Sequence, residues 1–248
     1  MKIKSFAKVN LNLKINHRRD DGYHDLLSIM VAINLFDLIK IKKAPQNVIT
    51  SNVKIENNTI LKAVNLMKEQ FGIKDNFKIK LKKRIPIGAG LGGASCNAAS
   101  IIMALNKMYN LKLAKEKLIS LAITIGSDVP FCLFNRPSIV SGIGQKINFI
   151  NNLAIVPKHL YLYLNNINVS TKVIFDNFTS NGNRQSIIKN KQINYFNDLT
   201  NITINQYPQL RIYTEQTKLF MTGSGSTFFN FDKIKKRQFK SKKYKILD

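Results

Sequence analysis

The most informative stretch of this chain is Arg84-Ile85-Pro86-Ile87-Gly88-Ala89-Gly90-Leu91-Gly92-Gly93-Ala94-Ser95-Cys96-Asn97. Its four glycines lack a Cβ atom, so the backbone can adopt positive φ and bring its N–H groups close to a ligand. A helix that begins directly after such a loop adds its unpaired N–H groups and the positive end of its dipole. The stretch therefore predicts a phosphate-binding loop, with a purely structural turn as the alternative.

Both flanks of this stretch carry clear signals of secondary structure. Before it, segment 77–82 alternates apolar residues with lysines, the period-two pattern of a half-buried strand. After it, apolar residues recur at helical spacing over 98–108, and Ser95 or Asn97 can cap that helix. The glycines are therefore predicted to lie between a strand and the N-terminus of a helix.

The segment Gly88–Gly93 also satisfies the G-x-G-x-x-G pattern of dinucleotide-binding folds, but its context argues against that class. The pattern should follow a buried strand, whereas the strand here carries a lysine at every second position. No acidic residue ends a second strand about 20 residues later, where a ribose would need it. A Walker loop is excluded because no Gly-Lys-Ser/Thr follows the glycines.

Strands and helices alternate irregularly along the chain, which predicts an α+β fold rather than a doubly wound parallel sheet. Over residues 2–15 apolar and polar residues alternate, so Lys8 and Asn10 are predicted to share the face opposite the core. The break at Asn151-Asn152 is interpreted as a soft boundary between two domains, 1–153 and 154–248. The remaining elements are predicted as strands over 26–41 and 155–164, helices over 58–71 and 112–125, and a polar loop over 45–52.

The composition is strongly basic, with 39 Lys plus Arg against 14 Asp plus Glu and a formal net charge of +25. Basic residues replace counterions along nucleic-acid phosphates, but here they are spread along the chain and no nucleic-acid-binding motif accompanies them. The abundance of Lys, Asn and Ile matches codons rich in A and T, so the charge is interpreted as compositional drift. No nucleic-acid partner is expected, and the lysine-rich segment 233–245 is interpreted as a solvated helix or a frayed tail.

Other features of the composition exclude several classes of protein. No apolar run reaches the roughly 20 residues of a membrane span, and the N-terminus lacks the apolar core of a signal peptide. Three well-separated histidines give no zinc motif, and Cys96 and Cys132 are too few for a disulfide framework. We expect a cytoplasmic protein without membrane contact, in which both cysteines are buried.

With three further blocks, the glycine stretch resembles the GHMP kinases, a family named after galacto-, homoserine, mevalonate and phosphomevalonate kinases. The blocks follow the family's order and are Ala7-Lys8-Val9-Asn10-Leu11-Asn12-Leu13 leading to Asp21-Gly22-Tyr23-His24, then Gly126-Ser127-Asp128-Val129-Pro130-Phe131, then Thr222-Gly223-Ser224-Gly225-Ser226-Thr227. The resemblance runs from residue 5 to about residue 232 and is most specific over the first 145 residues. It implies a two-domain GHMP kinase fold, with ATP bound in an active site in the cleft between the domains.

The resemblance also implies that Lys8 and Asp128 are the catalytic residues. In the family, the aspartate of the Gly-x-Asp-Val-Pro block takes or orients the proton of the acceptor hydroxyl, and Asp128 occupies that position. Lys8 occupies the lysine position of the Ala-Lys-x-Asn block. An ammonium there keeps the carboxylate ionised and offsets charge on the γ-phosphate. The alternative role for Asp128 is to cap a helix ahead of Pro130.

The glycine loop would hold the phosphates of ATP, with Mg²⁺ as their counterion. No carboxylate cage is visible in the sequence, so the metal would be held mainly by phosphates, water and Ser95. Cys96 departs from the family, where serine is usual, and a thiol touching phosphate would weaken ATP binding because it is a poor donor. The residues predicted to bind ATP are Pro86, Gly88, Ala89, Gly90, Leu91, Gly92, Gly93, Ala94, Ser95 and Cys96.

The block Asp21-Gly22-Tyr23-His24 implies a small-molecule acceptor that carries cytosine. In the family, this tyrosine stacks on cytosine and the histidine hydrogen-bonds its edge, roles that suit a flat ring and a neutral imidazole. A monomer or weak homodimer is expected. Two alternatives remain open: a GHMP kinase of the homoserine or mevalonate type, and a degenerate relative that binds nucleic acid. The residues predicted to bind the acceptor are Asn10, Tyr23, His24, Phe175, Gly223 and Ser224.

Overall fold

The computed structural model describes residues 1–55, 58–179, 184–234 and 238–248, which form strands and mostly short helices. The strands are β1 (Lys2–Asn10), β2 (Lys14–Arg18), β3 (His24–Ala44), β4 (Val48–Ser51), β5 (Asn76–Lys82), β6 (Ser138–Gly142), β7 (Lys146–Phe149), β8 (His159–Tyr163), β9 (Ile188–Lys189), β10 (Gln192–Ile193), β11 (Phe220–Met221), β12 (Phe228–Asn230) and β13 (Lys242–Lys245). The α-helices are α1 (Thr59–Phe71), α2 (Gly93–Met108), α3 (Lys115–Ile123), α4 (Val129–Phe134), α5 (Thr171–Asp176), α6 (Thr200–Gln206) and α7 (Ile212–Glu215).

The first sheet is organised around β3, a strand of 21 residues. The order β4-β5-β3-β6-β7 runs through the sheet, and β1 and β2 also pair with β3. Pairing is antiparallel except between β4 and β5, which are parallel. Antiparallel strands combined with helices on one side confirm the predicted α+β class.

One face of this sheet packs against helices and fixes where the glycine loop begins. Phe77, Ile79 and Leu81 of β5 are buried and the lysines between them are exposed, as the alternating pattern predicts. The buried side chains join a core with α1 and α2, whose inward positions include Met67 and Leu105. Because β5 ends at this core and α2 begins in it, the connecting glycine loop is held at the edge of the sheet.

The second sheet has the order β11-β12-β8-β13 and packs against the other face of β1 and β3. A shared apolar cluster includes Val9 and Val31 from the first sheet and Leu160 and Phe229 from the second. The first sheet ends with β7 and the second begins with β8, so the predicted domain boundary at 153/154 lies in the segment that connects them. The division into two domains stays a prediction.

Several predicted elements differ from the structure. The predicted polar loop 45–52 contains β4, whose residues pair with β5. The predicted strand over 2–15 is interrupted after β1, because the Leu13 N–H donates to the Phe196 carbonyl instead of continuing the pairing. Part of the lysine-rich segment 233–245 is β13, paired with β8, rather than a helix or a tail.

Two further boundaries are also shifted. The helix predicted over 112–125 begins later, in α3, because Asn110 and Lys112 adopt left-handed backbone angles that a helix cannot include. The strand predicted over 155–164 begins later too, because a turn of 3-10 helix occupies Leu153–Ile155 before β8. In both cases a loop conformation extends further into the apolar pattern than the sequence suggests.

Candidate active site

A cavity of about 940 Å³ lies where the glycine loop meets β1, the segment before β3 and the loop between β11 and β12. Of the predicted catalytic and binding residues, Cys96 is the one that does not line it. The others that line the cavity are Lys8, Asn10, Tyr23, His24, Pro86, Gly88, Ala89, Gly90, Leu91, Gly92, Gly93, Ala94, Ser95, Asp128, Phe175, Gly223 and Ser224. Residues more than 200 positions apart therefore share one cavity.

The glycine loop requires glycine because it is pressed against a second loop, Thr222–Thr227. Gly90 has φ +71°, and a Cβ atom there would lie 2.4 Å from the carbonyl oxygen of Thr222 and 2.7 Å from that of Gly225. Real Cβ atoms do not approach backbone oxygens so closely. The two loops therefore contact each other through their backbones, and both line the cavity beside this contact.

The N-terminus of α2 opens into the cavity without a side-chain cap. Gly92 is the N-cap residue, in a left-handed conformation with φ +64°, and no side chain caps the helix. The prediction that Ser95 or Asn97 caps α2 is therefore wrong, since both residues lie within the helix. Uncapped N–H groups at the start of a helix of this length favour phosphate, so the loop geometry fits the predicted ATP phosphates.

Lys8 lies between the two glycine loops with its ammonium directed into the site. Its Nζ donates to Asn10 Oδ1 at 2.6 Å and lies 3.3 Å from Asp128 Oδ2. The prediction that Lys8 and Asn10 lie on a face opposite the core is wrong, because their exposed fractions are 3% and 4%. The loops cover that face: a Cβ atom on Gly92 would lie 2.7 Å from Lys8 Cγ.

Asp128 directs its carboxylate at Lys8 rather than at the helix it precedes. It is the N-cap residue of α4, but its side chain makes no capping hydrogen bond. The side chain is 38% exposed, whereas that of Lys8 is 4% exposed. Asp128 therefore presents a carboxylate, paired with a buried ammonium, to whatever occupies the cavity.

A buried carboxylate that no sequence pattern predicts anchors the start of the glycine loop. Asp37 in β3 is fully buried, and its Oδ1 accepts the backbone N–H groups of Arg84 and Ile85 at 2.7 and 2.8 Å. Its Oδ2 accepts Lys83 Nζ at 2.6 Å and Asn97 Nδ2 at 2.9 Å. One carboxylate thus ties together the start of the glycine loop and the first turns of α2.

At the other end of the cavity, two phenylalanine rings pack against a histidine. His24 is 8% exposed and lies 5.5 Å from the ring of Phe175 and 5.8 Å from that of Phe178. Its Nε2 is buried and has no hydrogen-bond partner among the described residues. Burial lowers the pKa of His24, and the positive charge of Arg18 lowers it further, so the neutral imidazole is favoured. Tyr23, 54% exposed, stands beside it at the cavity opening.

Hydrogen bonds from three segments hold the loop between β11 and β12 beside Lys8. The N–H of Asn10 donates to Thr222 Oγ1 at 2.8 Å, and Asn197 Nδ2 donates to the Gly223 carbonyl at 2.8 Å. The Ser224 hydroxyl lies 2.8 Å from that of Thr171, at the start of α5. Gly223 and Ser224 therefore line the cavity between the lysine and the aromatic cluster.

Cys96 is directed into the core and away from the cavity. Its Sγ lies 2.6 Å from Sγ of Cys132, and both residues are buried, as predicted. Burial raises the pKa of the Cys132 thiol well above its ordinary value, so that thiol stays protonated. The Cys96 side chain therefore does not line the cavity, and the place of Cys96 among the ATP-binding residues stays a prediction.

Two classes of site are not found among the described residues. No group of three or more His, Cys, Asp or Glu side chains there is arranged to hold a metal ion. None of the described helices is long and apolar enough to cross a membrane.

Comparison with known proteins gives relatives over nearly the whole chain. The family model for the N-terminal domain of GHMP kinases matches residues 58–136. The 4-diphosphocytidyl-2-C-methyl-D-erythritol kinase of Caldicellulosiruptor saccharolyticus is 35% identical over 259 residues, which cover 92% of this chain and 87% of the relative. The enzyme of the same name from Caldanaerobacter subterraneus subsp. tengcongensis is 34% identical over 260 residues, which cover 95% of this chain and 90% of the relative.

Solved structures agree with the sequence relatives. The crystal structure of a 4-(cytidine 5'-diphospho)-2C-methyl-D-erythritol kinase has a TM-score of 0.77 and 27% identity, and it covers 93% of this chain and 90% of its own. The mevalonate kinase of Methanococcus jannaschii has a TM-score of 0.64 and 17% identity, with 100% of this chain and 98% of the other covered. The second likeness shows a shared fold alone, and together they confirm the predicted fold of the GHMP kinases.

Proposed function

We infer that this chain, which belongs to the 4-diphosphocytidyl-2-C-methyl-D-erythritol kinase family of the GHMP kinases, is an ATP-dependent small-molecule kinase. It phosphorylates the 2-hydroxyl of 4-diphosphocytidyl-2-C-methyl-D-erythritol in non-mevalonate isoprenoid precursor biosynthesis, and it releases ADP. The observation that carries this function is the Lys8–Asp128 pair, 3.3 Å apart between the glycine loop and the ring cluster of one cavity.

The arrangement of Lys8 and Asp128 fits phosphoryl transfer. Such transfer needs alignment and charge neutralisation more than covalent chemistry from the protein. Asp128 accepts the hydrogen bond of the acceptor hydroxyl and orients or takes its proton as the new P–O bond forms. Lys8 keeps that carboxylate ionised and offsets the negative charge on the transferred phosphoryl group. Asn10 holds the ammonium in place through the 2.6 Å hydrogen bond to Lys8.

ATP binding rests on main-chain groups of the glycine loop. The positive φ angles of Gly88, Gly90 and Gly92 turn the backbone around the cavity edge, and the uncapped start of α2 adds further N–H donors. Ser95 lines the same region and offers a hydroxyl to a cation bound with the nucleotide. Mg²⁺, when bound with ATP, neutralises phosphate charge in this chemistry.

The ring cluster supports an acceptor that carries cytosine. Tyr23 offers an exposed aromatic face, and stacking on a base is worth roughly 1–3 kcal/mol. His24 offers the unpartnered Nε2 for a hydrogen bond to the edge of the base, and Phe175 packs against that imidazole. A homoserine or mevalonate acceptor has no ring, so it would leave these groups without a role.

The experiment that tests this function measures ADP release with each candidate acceptor, for the wild type and for Asp128→Asn. We expect turnover with the cytidyl substrate and none with homoserine or mevalonate. The Asp128→Asn variant should lose a factor of about 10²–10⁴ in kcat, the usual contribution of a positioned acid or base. Binding of ATP should change little, because Asp128 lies beyond the glycine loop.

Two results would contradict the proposal. Turnover of homoserine or mevalonate in place of the cytidyl substrate would overturn the acceptor. A kcat within a few-fold of wild type for Asp128→Asn would remove the role of this carboxylate. Thermal unfolding of both proteins serves as the control, because Asp128→Asn also removes the carboxylate beside the buried Lys8 ammonium, and kcat is compared at a temperature where both proteins stay folded.

A further inference from the structure

The outer face of the first sheet carries a concentration of positive charge that the kinase chemistry does not use. It consists of exposed lysines from three adjacent strands, and we call it the lysine face. None of them lines the active-site cavity, and the opposite side of the same strands packs against α1 and α2. The lysine face comprises Lys2 and Lys4 of β1, Lys40 and Lys42 of β3, and Lys78, Lys80 and Lys82 of β5.

The register of the sheet places these lysines directly opposite one another. Lys40 is paired with Lys2 on one side and with Lys80 on the other, so three lysines form a row across the strands. Lys42 and Lys78 form a parallel row one step away. Neighbouring strands are about 4.8 Å apart and same-face residues about 6.7 Å apart along a strand. Like charges in such positions repel and destabilise the sheet unless an anion lies over them.

No acidic side chain compensates this charge within the described part of the chain. None of the seven lysines takes part in an ion pair or a side-chain hydrogen bond there. Among the described carboxylates on or beside these strands, Asp37 is buried beneath the glycine loop, and Asp75 pairs with Lys43 at the sheet edge. The lysine face is therefore an uncompensated array of cations.

Aromatic side chains extend the lysine face at one end. Phe6 and Phe36 occupy the next paired positions of β1 and β3, half-buried, with ring centroids 5.7 Å apart. Lys4 Nζ lies 5.0 Å from the centroid of the Phe36 ring, and the Arg84 guanidinium lies 5.3 Å from it. Cations beside aromatic rings on an open sheet are the combination by which proteins bind single-stranded nucleic acid.

We propose that the lysine face binds the phosphate backbone of a single-stranded nucleic acid. The sequence predicts no such partner because the lysines are dispersed along the chain, but the sheet gathers seven of them on one surface. An anionic membrane fits less well, since membrane surfaces also take up exposed apolar side chains. In the described part of β1, β3 and β5 no large apolar side chain is exposed.

The test uses the full chain and fluorescence anisotropy of 20-nucleotide oligouridylate and oligothymidylate probes over a range of salt concentrations. Up to seven phosphate contacts predict that log K falls with log[salt] with a slope of about −3 to −5, at roughly −0.7 per contact. The variant carries Lys40→Gln, Lys42→Gln, Lys78→Gln and Lys80→Gln. Its affinity should fall at least ~20-fold and its slope should flatten by about 3, while ADP release stays at the wild-type rate.

A matched variant tests whether binding depends on the lysine face or only on the net charge of the protein. Lys107→Gln, Lys146→Gln, Lys158→Gln and Lys189→Gln removes the same charge, +25 to +21, from exposed positions elsewhere. Its affinity should stay within about threefold of wild type. Equal losses in the two variants, or no binding of either probe by the wild type near 100 mM salt, would overturn the proposal. Binding to vesicles containing phosphatidylserine but to neither probe would assign the face to a membrane and overturn it equally. The two probes distinguish RNA from DNA.

Discussion

The two ends of the active-site cavity are built by different means. The phosphate end consists of backbone, with the glycine loop and the start of α2 held from below by the buried carboxylate of Asp37. The acceptor end consists of side chains, with Tyr23, His24 and Phe175 gathered from the start of β3 and from α5. The phosphate end depends on the backbone freedom of glycine, whereas the acceptor end depends on the identity of its ring side chains.

This difference separates the recognition of phosphate, which is general, from the recognition of one acceptor, which is specific. A loop of main-chain N–H groups recognises phosphate, which every nucleoside triphosphate carries. We propose that the ring cluster, with an imidazole nitrogen that has no hydrogen-bond partner among the described residues, selects a flat base with a polar edge. Changes at the phosphate end should therefore affect stability and ATP together, whereas changes at the acceptor end should affect the acceptor alone.

The largest effect is expected for Asp37→Asn, which tests the phosphate end. The variant would leave Lys83, whose side chain is 7% exposed, without its counter-charge and would put an amide N–H₂ near other donors. Breaking a buried ion pair in this way typically costs 3–5 kcal/mol, and we expect about 3 kcal/mol in chemical unfolding. At a temperature where the variant stays folded, the KM for ATP should rise about 10-fold and the KM for the acceptor should stay within twofold.

A matched variant for this prediction is Asp75→Asn. Asp75 pairs with Lys43 at the same 2.6 Å, but these side chains are 39% and 59% exposed. An exposed pair contributes up to about 1 kcal/mol, so Asp75→Asn should be close to wild type in stability and in both KM values. If Asp37→Asn raised the two KM values equally, Asp37 would be a general stability residue rather than a support of the glycine loop.

Asp37 also shows why part of the site was not predicted from the sequence. Between Phe36 and Leu38 it resembles any polar residue on a strand, and its partners lie 46 to 60 positions away. The glycine loop and β5 were predicted because their patterns are local. The burial of Lys8 and Asn10 was missed for the same reason as Asp37. The loops that cover them, which include Gly92 and Thr222, lie far along the sequence, and periodicity cannot show what packs on a strand.

An intermediate effect is expected for Phe175→Ala, which tests the acceptor end. The ring of Phe175 lies 5.5 Å from His24 and helps fix the orientation of that imidazole. Removing it should raise the KM for the cytidyl acceptor about 10-fold, within the range of one lost aromatic contact. The KM for ATP should stay within twofold. The control is Val173→Ala on the same helix, where the side chain is 40% exposed and no change is expected.

The opposite outcome would show that the two ends of the cavity are not independent. If Phe175→Ala raised both KM values, α5 would support the phosphate loop as well as the acceptor. That connection has a physical route, because the Val169 N–H donates to the Gly88 carbonyl just before α5 begins. Steady-state kinetics with each substrate varied in turn would distinguish the two arrangements.

The smallest effect is the pH dependence of acceptor binding through His24. Burial, followed by the charge of Arg18, lowers the pKa of His24 below its ordinary value of 6.5, while Asp176 acts weakly in the other direction. A lowered pKa means that the neutral form is favoured in the folded protein. The contribution of the neutral imidazole to stability is therefore present above pH 6.5 and is lost as pH falls through the lowered pKa.

The acceptor KM should therefore be flat from pH 8 to about 6.5 and rise a few-fold only at lower pH. In His24→Gln that rise should disappear, since glutamine does not titrate, and any change left would come from a group other than His24. A wild-type KM that already rose between pH 8 and 7 would contradict a neutral, buried imidazole and would remove the distinction between a titrating acceptor end and a backbone-built phosphate end.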